Sequence, residues 1–100
     1  MKLLTKAIEK ALPPLYSQDD KGDDAVAYAK FFHPASSWTW YATEYDPESR
    51  VFFGLVIGFE TELGYFSLDE LESVRVRGLG IERDLYFKPT TLGEIRRKAA

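Results

Sequence analysis

Residues 37–59, SWTWYATEYDPESRVFFGLVIGF, hold two runs of aromatic and β-branched residues on either side of Asp46-Pro47-Glu48-Ser49. Such runs favour extended backbone, because branched and aromatic side chains pack well on a pleated surface. A proline after an aspartate presets a turn, and a link this short joins antiparallel strands, since a parallel crossover needs a dozen residues or more. A hairpin of strands over 37–45 and 51–59 is therefore the centre of the fold. Upstream, AVAYAKFFH (25–33) has the same composition and connects through His33-Pro34-Ala35-Ser36. Downstream, Leu63 to Phe66 makes a fourth, shorter strand, and Asp84 to Phe87 an edge strand before Pro89.

The flanks read as helices. Leu4, Ala7, Ile8, Ala11 and Leu12 recur at helical spacing, and Pro13-Pro14 stops the pattern. Ser67-Leu68-Asp69-Glu70 and Thr91-Leu92-Gly93-Glu94 are capping boxes, in which a hydroxyl satisfies an orphan N–H of the first turn. The first predicts a helix to about Val74; the second predicts one to the C-terminus, where Arg96, Arg97 and Lys98 suit the negative end of the helix dipole. The expected fold is α+β: an antiparallel meander of four or five strands with short helices at the N-terminus, after the fourth strand and at the C-terminus. A length of 100 residues suits a single domain over 1–100.

Alternation along 51–59 puts Val51, Phe53, Leu55, Ile57 and Phe59 on one face, expected to be the core face, and Phe52, Gly54, Val56, Gly58 and Glu60 on the other. Two glycines flanking Val56 make a shallow trough. Closing the hairpin with Asp46 opposite Ser49 sets Trp38 and Trp40 on the core face against Ile57 and Leu55, with Thr39, Tyr41, Thr43 and Tyr45 beside the trough. A shift of one residue lays the tryptophans over the glycines instead. The trough is either a groove that stacks a flat group or a gap that a neighbouring ring fills.

Composition narrows the chemistry. Without cysteine there is no disulfide, thiolate nucleophile or cysteine-bound zinc. The N-terminus lacks the apolar stretch of a secretory signal, and no run nears the roughly 18 apolar residues of a membrane span, so a cytoplasmic protein without membrane contact is expected. Residues 25–72 carry two basic and eight acidic side chains; residues 73–100 carry seven basic and three acidic. This basic tail either docks on the acidic body or meets a polyanion.

The catalytic inventory is thin. His33, the only histidine, stands at a turn before proline. The acids of SQDDKGDD (17–24) do not follow calcium-loop spacing, and Gly78-Leu79-Gly80 lacks the lysine of a phosphate loop. No cofactor or metal site is expected. Glu44, Glu60, Glu62 and Asp84, at strand ends or in loops, are the acids that convergence would turn into a divalent-metal site of a nuclease or hydrolase. Ile81-Glu82-Arg83-Asp84 reads as a salt-bridged turn. The binding residues expected on the trough side are Tyr41, Tyr45, Gly54, Gly58 and Arg83, because tyrosine and arginine are common binding hot spots.

LPPLYSQ (Leu12 to Gln18), KFFHPASSWTWYATEYD (Lys30 to Asp46), FFGLVIGFETELGYFSLDELESV (Phe52 to Val74) and IERDLYFKP (Ile81 to Pro89) together resemble a family of small bacterial proteins of about a hundred residues, classified as a domain of unknown function. The resemblance implies a setting among plasmid, phage and other mobile-element genes, and similar segments are appended to large DNA-processing polypeptides. Threonine is common in the family where His33 stands and proline where Gly80 stands. No catalytic or binding residue carries over. The function expected is an accessory or binding module acting through a protein partner in mobile-element DNA metabolism. The alternatives are a small metal-dependent nuclease or hydrolase, and single-stranded nucleic-acid binding through an aromatic sheet face and the basic tail.

Overall fold

The computed structural model describes residues 2–99. In chain order the elements are α1 (Lys6–Ala11), β1 (Val26–Ala27), β2 (Ala29–Phe32), β3 (Thr39–Asp46), β4 (Val51–Ile57), β5 (Thr61–Ser67), α2 (Leu68–Ser73), β6 (Glu82–Arg83), β7 (Thr90–Thr91) and α3 (Leu92–Ala99), with one 3₁₀ turn at Gly22–Asp24. The architecture is α+β: a five-stranded antiparallel sheet in the order β5-β4-β3-β2-β6, with the meander β2 to β5 at its heart. β1 and β7 form a separate two-stranded ribbon.

The helix starts follow their local chemistry. Thr5, Ser67 and Thr91 hydroxyls accept the backbone N–H of Ile8, Glu70 and Glu94 at 3.2, 3.2 and 3.3 Å. α1 is shorter than its apolar spacing suggests at both ends: it starts after the extended N-cap Thr5, leaving Leu4 outside, and Leu12, which precedes Pro13, is extended as well. The edge strand expected at Asp84 to Phe87 is Glu82–Arg83 instead, and the residues after it turn. There the Asp84 carboxylate accepts the Tyr86 N–H at 2.9 Å, an Asx turn that ends the strand.

The hairpin register is the shifted one. Asp46 pairs with Val51, not Ser49, because the loop takes four residues and closes with Arg50 in the left-handed region (φ 58°). Asp46 stabilises the loop by accepting the Ser49 hydroxyl at 2.6 Å, and the Arg50 guanidinium is held by Asp69 and Glu72. A bulge at Thr43, between the pairs Ala42–Gly54 and Glu44–Phe53, then takes back one of the two residues by which the loop moved the partners, leaving a net shift of one. Trp40 therefore lies opposite Val56, and Trp38 lies over Gly58.

The faces are reversed relative to the expectation. The larger core is on the Phe52 and Val56 side, where Phe31, Tyr45, Phe52 and Phe66 meet the leucines of the N-terminal segment and of α2. The opposite side is covered only over its middle, where Leu92 and Ile95 of α3 and Phe87 pack on Leu55, Ile57 and Tyr41. Val51 and Phe53 are half-buried there, and Phe59 is 95% exposed. The physical reason is the number of elements above each face: α1, α2 and Leu3-Leu4 seal one, and a two-turn helix sits on the other. Arg96 Nε of that helix lies 3.2 Å from Asp23, which docks this part of the basic tail on the body, whereas Arg97 and Lys98 pair with Glu94 within the helix itself.

Candidate functional site

The five residues singled out on the trough side do not share one surface. The Thr43 bulge inverts alternation along β3, so Tyr41 faces α3 and Phe87 while Tyr45, 3% exposed, enters the main core against Phe52. Burial, the main influence, raises the pKa of the Tyr45 hydroxyl. Gly54 leaves no hollow: a Cβ there would run into the Tyr41 carbonyl, so glycine is what lets the two backbones approach beside the bulge. Gly58 is roofed by the Trp38 ring. Arg83 sits on the far edge of the sheet, where its guanidinium binds the Lys2 and Leu3 carbonyls. The trough is filled, and its residues point to three different places.

The acids do not assemble either. Glu44 is buried and clamps the LPPLYSQ turn: its two carboxylate oxygens accept the Tyr16 and Gln18 N–H groups, each at 2.8 Å. Gln18 continues the clamp by accepting Val26 N–H at 2.7 Å and donating to the Val26 and Thr43 carbonyls. Asp84 pairs with Lys30 at 3.7 Å, while Glu60 and Glu62 are exposed at the β4–β5 hairpin. Among the described residues no three histidine or acidic side chains gather as a metal site would need. His33 is buried and structural: Nδ1 accepts the Ala35 N–H, so Nε2 carries the proton and donates to the Leu79 carbonyl, both at 3.1 Å.

What the fold leaves open is the β5 edge. In the β4–β5 ladder Leu68 N–H donates to the Arg50 carbonyl at 2.9 Å and Gly58 N–H to the Glu60 carbonyl at 3.0 Å, which fixes the phase of the pairing. Even-numbered residues of β5 therefore bond to β4, and the N–H and C=O groups of Thr61, Leu63 and Tyr65 point away from the sheet. Among the described residues no strand pairs on that side. The strand is seven residues long, runs without a register shift, and carries no lysine or proline of the kind that usually blunts an edge.

Exposed apolar side chains line this edge. Leu63 and Tyr65 are exposed on one face, with Phe53 edge-on to Tyr65 at 5.0 Å. The Tyr65 hydroxyl is held above its usual pKa, first by its hydrogen bond with Tyr16, itself exposed with φ 74°. At the hairpin tip Phe59 rests edge-on against Trp38 (5.5 Å), which in turn lies 5.9 Å from Trp40. Gly64 is the odd member: its φ is ordinary for a strand, and nothing lies within 4 Å of where its Cβ would be. Nothing among the described residues requires glycine there. Phe59, Leu63, Tyr65 and Gly64 were missed by sequence reasoning, although a glycine inside a strand is the signal for a close approach by another backbone.

The fold and this edge define a small α+β module that carries an open strand and, among the described residues, no cluster of acids and histidine that could hold a metal ion. The chain belongs to the family described as "Protein of unknown function (DUF2958)", whose model matches residues 3–99. No curated protein and no solved structure matches it.

Proposed function

We propose that this protein is an accessory binding module that acts through a protein partner, an extended segment of which adds as a sixth strand along β5. The observation that carries this reading is the β5 edge: unpaired among the described residues, with the backbone groups of Thr61, Leu63 and Tyr65 directed outward beside exposed Leu63 and Tyr65 side chains. In strand addition main-chain hydrogen bonds supply affinity and alternate side chains supply selectivity. Leu63 and Tyr65 take apolar partner side chains on one face, and Phe59 with Trp38 takes one more at the hairpin tip. Glu60 and Glu62 on the edge, with Asp19 close enough to Tyr65 to raise its pKa, favour a basic partner segment. The family resemblance favours a setting in mobile-element DNA metabolism.

The test is proline at an outward-facing position. Thr61→Pro removes an N–H that makes no bond to β4, so the fold survives and strand addition does not. Capture of an identified partner by the wild type, lost with Thr61→Pro at unchanged melting temperature, supports the reading. Capture that Thr61→Pro leaves intact overturns it, as does β5-mediated self-association.

A further inference from the structure

The opposite end of the sheet carries a second surface of different chemistry. Loop 84–88 and the last turn of α3 enclose a groove of about 450 Å³ against β2 and β3. Its inner wall is the Tyr41–Phe87 pair, with ring centroids 5.7 Å apart. At its mouth stands Tyr86, 91% exposed and presented by the Asx turn of Asp84. A neighbouring hollow of about 500 Å³, lined also by Glu82 and Arg83, shares Lys30, Asp84 and Tyr86 with it.

Three lysines line the groove and one acid does. Asp84 spends its charge on Lys30, 3.7 Å away, and Lys30 also lies 5.8 Å from the Tyr41 ring centroid. Lys98 is 3.8 Å from Glu94, whereas exposed Lys88 has no ion-pair partner among the described residues. The local charge is thus positive in a chain whose net charge is −3. Cations beside open aromatic faces suit a ligand that is both anionic and planar along its length.

We infer that this groove binds single-stranded nucleic acid, with a base stacked on Tyr86 and the adjoining phosphates held by Lys88 and Lys98. Base stacking on an exposed ring tolerates any sequence, and lysine contacts to phosphate supply a salt-sensitive attraction. An acidic peptide would satisfy the lysines but leave the Tyr86 ring without a planar partner. The surface is distinct from β5 and does not depend on the function proposed for that edge.

Fluorescence anisotropy of the full chain with a labelled 12-nucleotide oligothymidylate tests this. Saturable binding at low salt in the range of about 1–100 μM is expected, weakening steeply as salt rises. Tyr86→Ala, at a site too exposed to affect folding, is expected to weaken binding about 5- to 100-fold. Lys88→Gln is expected to flatten the salt dependence by about 0.7 in the log–log slope, and Thr61→Pro to leave binding unchanged. Absence of saturable binding at 100 μM overturns the inference. So does binding that Tyr86→Ala does not alter, or displacement by polyglutamate as efficient as by an unlabelled oligonucleotide of equal charge.

Discussion

Gly54 and Gly64 face each other across β4 and β5 in the same pair of the same ladder, yet their surroundings have nothing in common. At Gly54 a methyl group would enter the Tyr41 carbonyl; at Gly64 it would meet nothing within 4 Å. One strand away from the edge, the sheet is packed against a bulge and sealed by Phe31, Phe52 and Phe66. At the edge, the same residue type sits in the open with its neighbours' backbone groups unspent. A glycine thus marks a contact already made within the chain at Gly54 and, on the function proposed, room for a contact with another chain at Gly64.

The sharpest way to break the comparison is to add the same methyl group on both sides. Gly54→Ala is expected to cost about 3 kcal/mol or more, since the obstacle is backbone and cannot swing aside, and denaturant unfolding reads it directly. The Glu44 clamp comes next. Glu44→Ala leaves the buried Gln18 N–H and the Tyr16 N–H without an acceptor and is expected to cost about 2–4 kcal/mol, with loss of amide-exchange protection at both positions. Gly64→Ala is expected to change stability by no more than about 1 kcal/mol, in the stabilising direction, because glycine is the entropically costly choice in a strand. Destabilisation there by more than that would mean that the edge is already covered.

The smallest effect sharpens the comparison at the exposed ends of the structure. Hydrogen bonding to the Ser49 hydroxyl holds Asp46 below the usual carboxylate range, and Arg97 does the same for Glu94. Both folded-state pKa values lie below the unfolded ones, so the unfolded chain takes up these protons first. The stabilisation is complete above the unfolded carboxylate pKa of about 4 and is lost as pH falls below it. Melting curves between pH 6 and pH 2 are expected to show this decline, shallower in Asp46→Asn.

Much of the fold was legible because it rests on local chemistry. The strands over 39–46 and 51–57, the Ser67 and Thr91 caps and the antiparallel meander follow from alternation and turn residues near one another in the chain. The register was not legible, because the four-residue loop closed by Arg50 in the left-handed region moves it by two residues and the Thr43 bulge takes one back, and neither is a residue type that announces such a position. Every later assignment inherits that shift: Tyr41 and Tyr45 end on opposite faces, and the side of Phe52 becomes the main core. Glu44 read as a candidate acid because its partners, the N–H groups of Tyr16 and Gln18, lie 26 to 28 residues away. The open edge was hidden for a related reason, since periodicity identifies a strand but not which of its sides lacks a neighbour.

The central claim is that β5 bonds inward with its even residues and offers its odd residues to a partner. Melting temperature and partner capture measured on the pair Thr61→Pro and Gly64→Pro test it most directly. Thr61→Pro is expected to melt within a few degrees of the wild type and to lose the partner, whereas Gly64→Pro, which removes a ladder N–H, is expected to unfold at a markedly lower temperature. Equal destabilisation by the two substitutions, or full capture by Thr61→Pro, would contradict the account.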